Sequence, residues 1–333
     1  MFWTIVACSF VVFIIILYIL SPIIAPKAFQ VQGAHVLVTG GSSGIGLGIA
    51  KAAAKKGANV TLVARNLVRL TQAREEVEKC CNGSSTQRIQ CFSADISQNY
   101  GEVEQVIRKA EAHLGPVSML INSAGAGMSG RFDEIPLEEF RKTMDLNYHG
   151  SVYATRAVIK NMKERQNGRI VYVSSMAGQL GLYGYTSYSA SKFALRGLAE
   201  ALQMEVKPYN IYITLAFPPD TDTPGYAEEN KTKPEETRLI SEVAGLFCPE
   251  KVANSILEDS VKGKFLCSVG VDGFLLTNLT CGMSPVTSLM EATQQVVTMG
   301  LFRIISLFYL DSFDRVVRRC KVHKVTIVKP KEQ

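Results

Sequence analysis

The chain has 333 residues, 47% of them hydrophobic and 20% charged. That is enough apolar material for one large domain or two ordinary ones, and it argues against disorder. The net charge of +6 is modest and gathers in the tail RVVRRCKVHKVTIVKPKEQ, which disfavours nucleic acid as a partner and favours anionic lipid headgroups.

Eight cysteines and four histidines are scattered without metal-ligand spacing, and Cys80 and Cys81 are adjacent. Reduced thiols and no metal site are therefore expected. The sequons at Asn82, Asn230 and Asn278 read as chance matches on a cytosolic domain.

Residues 1–25 are predicted to form a membrane anchor. FWTIVACSFVVFIIILYIL, from Phe2 to Leu20, carries no charge over 19 positions. As a helix it would run about 28 Å, close to the roughly 30 Å hydrocarbon core. A signal peptide would bring a basic n-region, which this stretch lacks, although SPIIAPKA has the look of a cleavage region. SPIIAPKAFQVQGAH then reads as a short extended tether.

From His35 onward strands and helices alternate. HVLVTG, NVTLVAR, RIQCFSAD, VSMLIN, GRIVYVSS and IYITLAF read as strands. GIGLGIAKAAAKKG, NLVRLTQAREEVEKC, YGEVEQVIRKAEAHLG, a long helix through Lys163 and the helix carrying Tyr188 and Lys192 lie between them. Residues 34–270 are expected to form one α/β domain, a doubly wound parallel sheet with helices on both faces.

Residues 271–320 are predicted to be a hydrophobic, membrane-associated helical region, and 321–333 a basic tail. VVTMGLFRIISLFYLDSF, from Val296 to Phe313, carries Arg303 and Asp311, and a charge at mid-bilayer is costly. An interfacial helix is favoured over packing on the domain or on a second subunit, and over a full span. The last five residues, KPKEQ, resemble the K-x-K-x-x retrieval signal of endoplasmic reticulum membrane proteins, which requires a cytosolic C-terminus. Lys27, after the first apolar run, also favours a cytosolic domain.

The unusual residues fall at strand ends, where such sheets bind ligands. TGGSSGIG joins the first strand to its helix. Gly40, Gly44 and Gly46 permit a tight turn and close approach of a pyrophosphate, with Ser42, Ser43 and Ile45 between them. The second strand ends without the acidic residue that signals NAD and offers Arg65 and Arg69 instead. A guanidinium suits a 2′-phosphate, so NADPH is favoured over NADH. Asp95, at the end of the third strand, is read either as an adenine contact or as a helix N-cap. Asn122, Ala124 and Gly125 offer a flat wall to the cofactor. Asn147 sits inside a helix where asparagine is a poor former, which suggests a kink or a hydrogen-bond relay. In SYSASKFALRG, Tyr188 and Lys192 share one helix face, so an ammonium beside the phenol would favour its ionised form. Ser175, thirteen residues before Tyr188, ends the fifth strand.

Together T-G-x-x-x-G-x-G at Thr39 to Gly46, N-x-A-G at Asn122 to Gly125, Ser175 and Y-x-x-x-K at Tyr188 to Lys192 resemble the short-chain dehydrogenase/reductase family, over about residues 34–270. The resemblance implies a Rossmann-type fold with Tyr188 as general acid/base and Ser175 orienting and polarising the carbonyl oxygen. It implies that Lys192 lowers the phenol pKa and holds the nicotinamide ribose, and that Asn147 supports a water-linked proton relay. Pro219 departs from the family's usual glycine, which gives Thr221 and Thr223 little weight as cofactor contacts.

The anchor, GQLGLYGYTSYSASKFALRGLAEALQMEVKPYN, PPDTDTPGYAEEN and LTCGMSPVTS…QQVVTMGLFR are similar to a membrane-bound branch of that family acting on sphingoid bases. This implies NADPH-dependent reduction of a long-chain 3-keto sphingoid base, 3-ketosphinganine to sphinganine, at the cytosolic face of the endoplasmic reticulum. Residues 218–248 are then the substrate lid. Glu228 and Glu229 are either attractors of the substrate ammonium or ordinary exposed loop acids. A membrane-anchored steroid or retinal reductase of the same family would carry the same four motifs and stays open. So does pairing into a homo-oligomer through the Tyr188 helix, as family members often do.

Overall fold

The computed structural model describes residues 2–83, 86–242 and 245–328. The K-x-K-x-x match at 329–333 lies outside them. Seven strands form one parallel sheet: β1 (His35–Thr39), β2 (Asn59–Ala64), β3 (Ile89–Ser93), β4 (Met119–Asn122), β5 (Gly168–Val173), β6 (Ile211–Phe217) and β7 (Leu266–Ser268), in the order β3-β2-β1-β4-β5-β6-β7. β1 and β5 are buried along their whole length, as continuous apolar runs covered on both faces should be. The order reverses between β1 and β4, which opens a crevice at the strand carboxyl ends.

One face is covered by α2 (Gly44–Lys55), α3 (Leu67–Glu78) and α10 (Pro249–Val261), through Ile49, Leu70 and Ile256. A Cβ on Gly48 would stand 2.8 Å from that of Ala253, so the α2–α10 contact depends on a bare backbone. The other face is covered by α4 (Tyr100–Leu114), α6 (Gly150–Glu164) and α7 (Thr186–Val206), through Ile107, Val158 and Leu195.

Three expectations are corrected here. The long helix through Lys163 is two helices, α5 (Leu137–Met144) and α6, joined by a π-helical turn over Asp145–His149. A seventh strand, β7, follows IYITLAF and pairs with it, Leu215 opposite Leu266. The tether is shorter than the SPIIAPKAFQVQGAH stretch expected for it. α1 (Phe2–Ile24) continues through Pro22, and the residues after it dock on the domain. Phe29 N–H donates to Val261 O at 2.8 Å. The buried Arg169 guanidinium donates to Lys27 O (2.6 Å), Gly168 O (3.0 Å) and Ser260 O (3.1 Å), with the rings of Phe29 and Tyr212 against it.

Beyond β7 the chain folds back as α11 (Gly270–Leu279) and α12 (Leu289–Val328). α12 is one continuous helix, longer than the 296–313 stretch. Leu289 N–H donates to Ser21 Oγ of α1 at 3.2 Å, and Phe302 meets Phe274 of α11 edge-on. Asn278 is buried, bonded to Phe274 O and Gln294, so packing closes that sequon. Trp3–Ile24 and Leu289–Lys321 are long and apolar enough to cross a membrane.

Candidate active site

At the end of β1, Gly40 turns with φ +68°, and a Cβ there would sit 2.7 Å from the Ala124 backbone. The first turn is thereby pressed against the loop after β4, and Thr39 Oγ1 accepts from Ser123 and Ala124 N–H at 3.3 and 3.4 Å. Ser43 begins α2 without a side-chain cap, which leaves first-turn N–H groups free for an anion. Ser42, Ser43, Gly44, Ile45 and Gly46 all face the same cavity.

Arg65 and Arg69 reach its rim as exposed side chains. Arg65 lies 3.8 Å from Asp95. Asp95 accepts from Ser97 N–H and Oγ at 3.0 and 2.6 Å. Burial acts to raise its pKa, but these bonds and Arg65 outweigh that and hold the carboxyl below its usual range. The N-cap of α4 is Asn99, not Asp95. Asn122 is buried with its amide on Thr155 at 3.4 Å and is not part of the cavity wall; the wall after β4 begins at Ser123.

Asn147 explains the π-helical turn. The extra residue swings its buried side chain inward, where Oδ1 accepts from Ala126 N–H and Nδ2 donates to Ala126 O and Ser191 Oγ, all at 2.9 Å. Ser191 in turn bonds Tyr188 O at 2.7 Å. Asn147 therefore clamps the β4 loop to the first turn of α7. Its side chain is fully engaged in positioning.

Ser175, after β5, accepts from Ala177 N–H at 3.2 Å and acts to lower the pKa of the Tyr188 phenol. The Tyr188 ring is wedged between Tyr185, 5.5 Å away centroid to centroid, and Gly127, where a Cβ would overlap it. Lys192 Nζ stands 5.5 Å from the Tyr188 ring centroid and donates to Val173 O at 2.9 Å.

The expected depression of the phenol pKa is corrected by this geometry. Burial, then the field of Glu229, pushes Tyr188 well above the ordinary tyrosine value, against the opposing influence of Ser175. Burial lowers Lys192 to about 8. The lysine is itself buried, and one of its three donors goes to the Val173 carbonyl. Gly127→Ala is expected to tilt the ring and lower kcat by about 10²-fold, with cofactor affinity retained. An alanine variant with unchanged turnover would sink this account of the wedge.

The cavity encloses about 870 Å³. It runs from the glycine turn and Arg65, past Ser175 and Tyr188, to a wall made by α11 and α12, including Leu275, Leu276, Leu279, Leu310 and Phe313. Arg303 and Asp311, the charges that argued against a span, part ways: Arg303 borders the cavity, whereas Asp311 pairs with Arg315 at 3.0 Å. Above Tyr188 lies the segment from Pro218 to Cys248, with α8 (Pro224–Asn230) and α9 (Glu235–Ser241), its base closed by a bridge between Thr221 and Phe247. Thr221 and Thr223 both reach the wall, and Thr223 caps α8. Tyr185, Tyr226 and the α11–α12 wall went unforeseen. The only sequence signal was the tyrosine-rich YGYTSY before the catalytic helix.

A seven-strand sheet in this order, a glycine turn at its switch point and a Ser–Tyr–Lys group at the strand ends define a nicotinamide-dependent dehydrogenase. The sequence model of the short chain dehydrogenase family matches residues 34–234, and the chain belongs to that family and is an oxidoreductase. Among its relatives, the 3-ketodihydrosphingosine reductase of Mus musculus is 60% identical and the 3-dehydrosphinganine reductase of Danio rerio 59%, each over 96% of both chains. The 3-ketodihydrosphingosine reductase of Dictyostelium discoideum is 40% identical over 77% of this chain and 80% of its own. Levodione reductase shares the fold, with a TM-score of 0.63 at 24% identity over 69% of this chain and 91% of its own.

Proposed function

We propose that the protein reduces 3-ketosphinganine to sphinganine with NADPH, as a membrane-anchored enzyme of the endoplasmic reticulum whose catalytic domain faces the cytosol. The observation that carries this reading is the single cavity that passes from the glycine turn, beneath Tyr188, to the leucine-lined wall of α11 and α12. A polar keto head can reach Tyr188 while a long alkyl chain lies against that wall. Because α12 is itself long and apolar enough to enter a bilayer, a lipid substrate has an apolar path into the site. The names of the relatives point to the same substrate.

The residues fit the cofactor. The free N–H groups at the start of α2, with Ser42 and Ser43, suit a pyrophosphate. Arg65 and Arg69 suit a 2′-phosphate, and no carboxylate ends β2 to compete. Bound NADPH supplies the hydride. On the protein side, Ser175 and Tyr188 hold the ketone oxygen. Tyr188 keeps its proton at neutral pH because burial favours the neutral phenol, and it gives that proton from its hydroxyl to the oxygen as negative charge develops there. Asn147 holds the Ala126 loop and the Tyr188 turn in register.

Purified protein in detergent is expected to consume NADPH with 3-ketosphinganine and not with a steroid ketone or retinal. Turnover of either of the latter instead would move the protein to another branch of the family. Replacing Arg65 and Arg69 together by alanine is expected to raise KM for NADPH by about 10- to 100-fold, the worth of charge-assisted bonds, with KM for NADH little changed. Equal losses on both cofactors would remove these arginines from the 2′-phosphate.

A further inference from the structure

Beside Tyr188, on the lid side, lies a charged group that the proton transfer does not use. Glu229, in the last turn of α8, is mostly buried and accepts from the Tyr185 hydroxyl. Lys233 Nζ is 3.3 Å from Glu229 and 3.6 Å from Asp220, the residue two beyond Pro218 at the end of β6. The Lys233 side chain is only 2% exposed. Its ammonium lies 4.6 Å from the Tyr226 ring centroid and 5.8 Å from that of Tyr185, yet it makes no well-aligned hydrogen bond.

Two carboxylates thus share one ammonium. The other cation nearby, Lys192, feels the field of Glu229 but donates to Val173 O. Glu228, next to Glu229, is exposed at the cavity rim and already paired with Lys231 at 2.7 Å. Glu229, Asp220, Tyr185 and Tyr226 all face the catalytic cavity. Its lid side therefore sets two carboxylates against the single ammonium of Lys233.

A 2-amino-3-ketone bears its ammonium on the carbon next to the carbonyl. When Ser175 and Tyr188 hold the carbonyl oxygen, the nitrogen must lie close to it. We propose that Glu229, backed by Asp220, seats the primary ammonium of the substrate, and so selects the free amino ketone over its N-acylated form. The inference rests on the substrate class proposed above. Lys233 already illustrates what this surround accepts: a primary ammonium between the same two carboxylates, over two aromatic faces. A neutral amide would leave the two carboxylates with Lys233 as their shared cation and add none, which is a penalty built against the acylated ketone.

The test compares 3-ketosphinganine with its N-acetyl derivative, in wild type and in Glu229→Gln, which retains the bond to Tyr185 and removes the charge. Wild type is expected to favour the free amine by about 10- to 100-fold in kcat/KM, as for one charge-assisted bond. Glu229→Gln is expected to lose that preference through KM for the amine, while turnover of the N-acetyl ketone is kept or rises. Equal losses on both ketones, or a wild type indifferent to acylation, would overturn the proposal. If Glu229→Gln no longer binds NADPH, Asp220→Asn and the wild-type comparison decide it in the same way. Wild-type protein that binds NADPH and reduces neither ketone would instead remove the substrate class itself.

Discussion

Replacing Tyr188 by phenylalanine is expected to lower kcat on 3-ketosphinganine by about 10²- to 10⁴-fold, the usual contribution of a positioned general acid. NADPH affinity should change little. The ring keeps its place because the packing by Tyr185 and the bare Gly127 backbone involves carbon atoms common to both side chains, so the loss should read out chemistry alone. The pH profile follows from the burial. Tyr188 is raised and stays protonated through neutral pH. Lys192 carries its charge below its depressed value of about 8 and loses it as pH rises through that value. In wild type, kcat/KM is therefore expected to fall on the alkaline side of about 8 and not on the acid side near neutrality. A phenylalanine variant within tenfold of wild type would assign the proton to another group.

The largest stability effect is expected at Arg169. Methionine there would fill much of the volume but take this donor from the carbonyls of Lys27 and Gly168, while Ser260 O keeps Gly263 N–H at 3.0 Å. Each lost partner costs about 1–3 kcal/mol when buried. Removing a buried charge returns part of this through relief of desolvation, and burial has already brought the guanidinium down to about 10. Backbone acceptors cannot be mutated away, so the loss should dominate, at about 3–5 kcal/mol. A melting point lower by about 10 °C in detergent is expected, with new protease cutting between residues 25 and 33. A melt shifted by less than about 2 °C would mean that water replaces the guanidinium.

Six strands were legible because each is a short, mostly apolar segment alternating with a helical pattern, and Tyr188 and Lys192 because four residues make about one helical turn. What failed was non-local. Leu266–Ser268 becomes a strand only because β6 offers it an edge; three residues carry no periodicity of their own. The π-helical turn adds one residue to a helix whose pattern otherwise continues, and asparagine at 147 was its sole trace. Adjacent acids told the same story in sequence, yet Glu228 is exposed at the cavity rim and Glu229 mostly buried in it, since neighbours on a helix point about 100° apart. The far wall exists because Arg196 of α7 binds Thr280 O and Cys281 O at 2.6 and 3.0 Å, a contact across more than 80 residues. The direction of the Tyr188 shift was missed for the same reason: proximity of Lys192 is local, but burial is tertiary.

The bond between Ser21 and Leu289 joins a helix made before the sheet to one made after it. A ribosome that has just finished β7 has emitted every strand, the glycine turn, Ser175, Tyr188 and Lys192, yet the cavity still lacks its α11–α12 side. Domains tend to fold as synthesis proceeds, so the sheet can form and take up cofactor while α1 waits for its partner. The nascent enzyme would then be ready for hydride transfer before it has anywhere to lay a lipid chain, and substrate capture becomes the last property the growing polypeptide acquires.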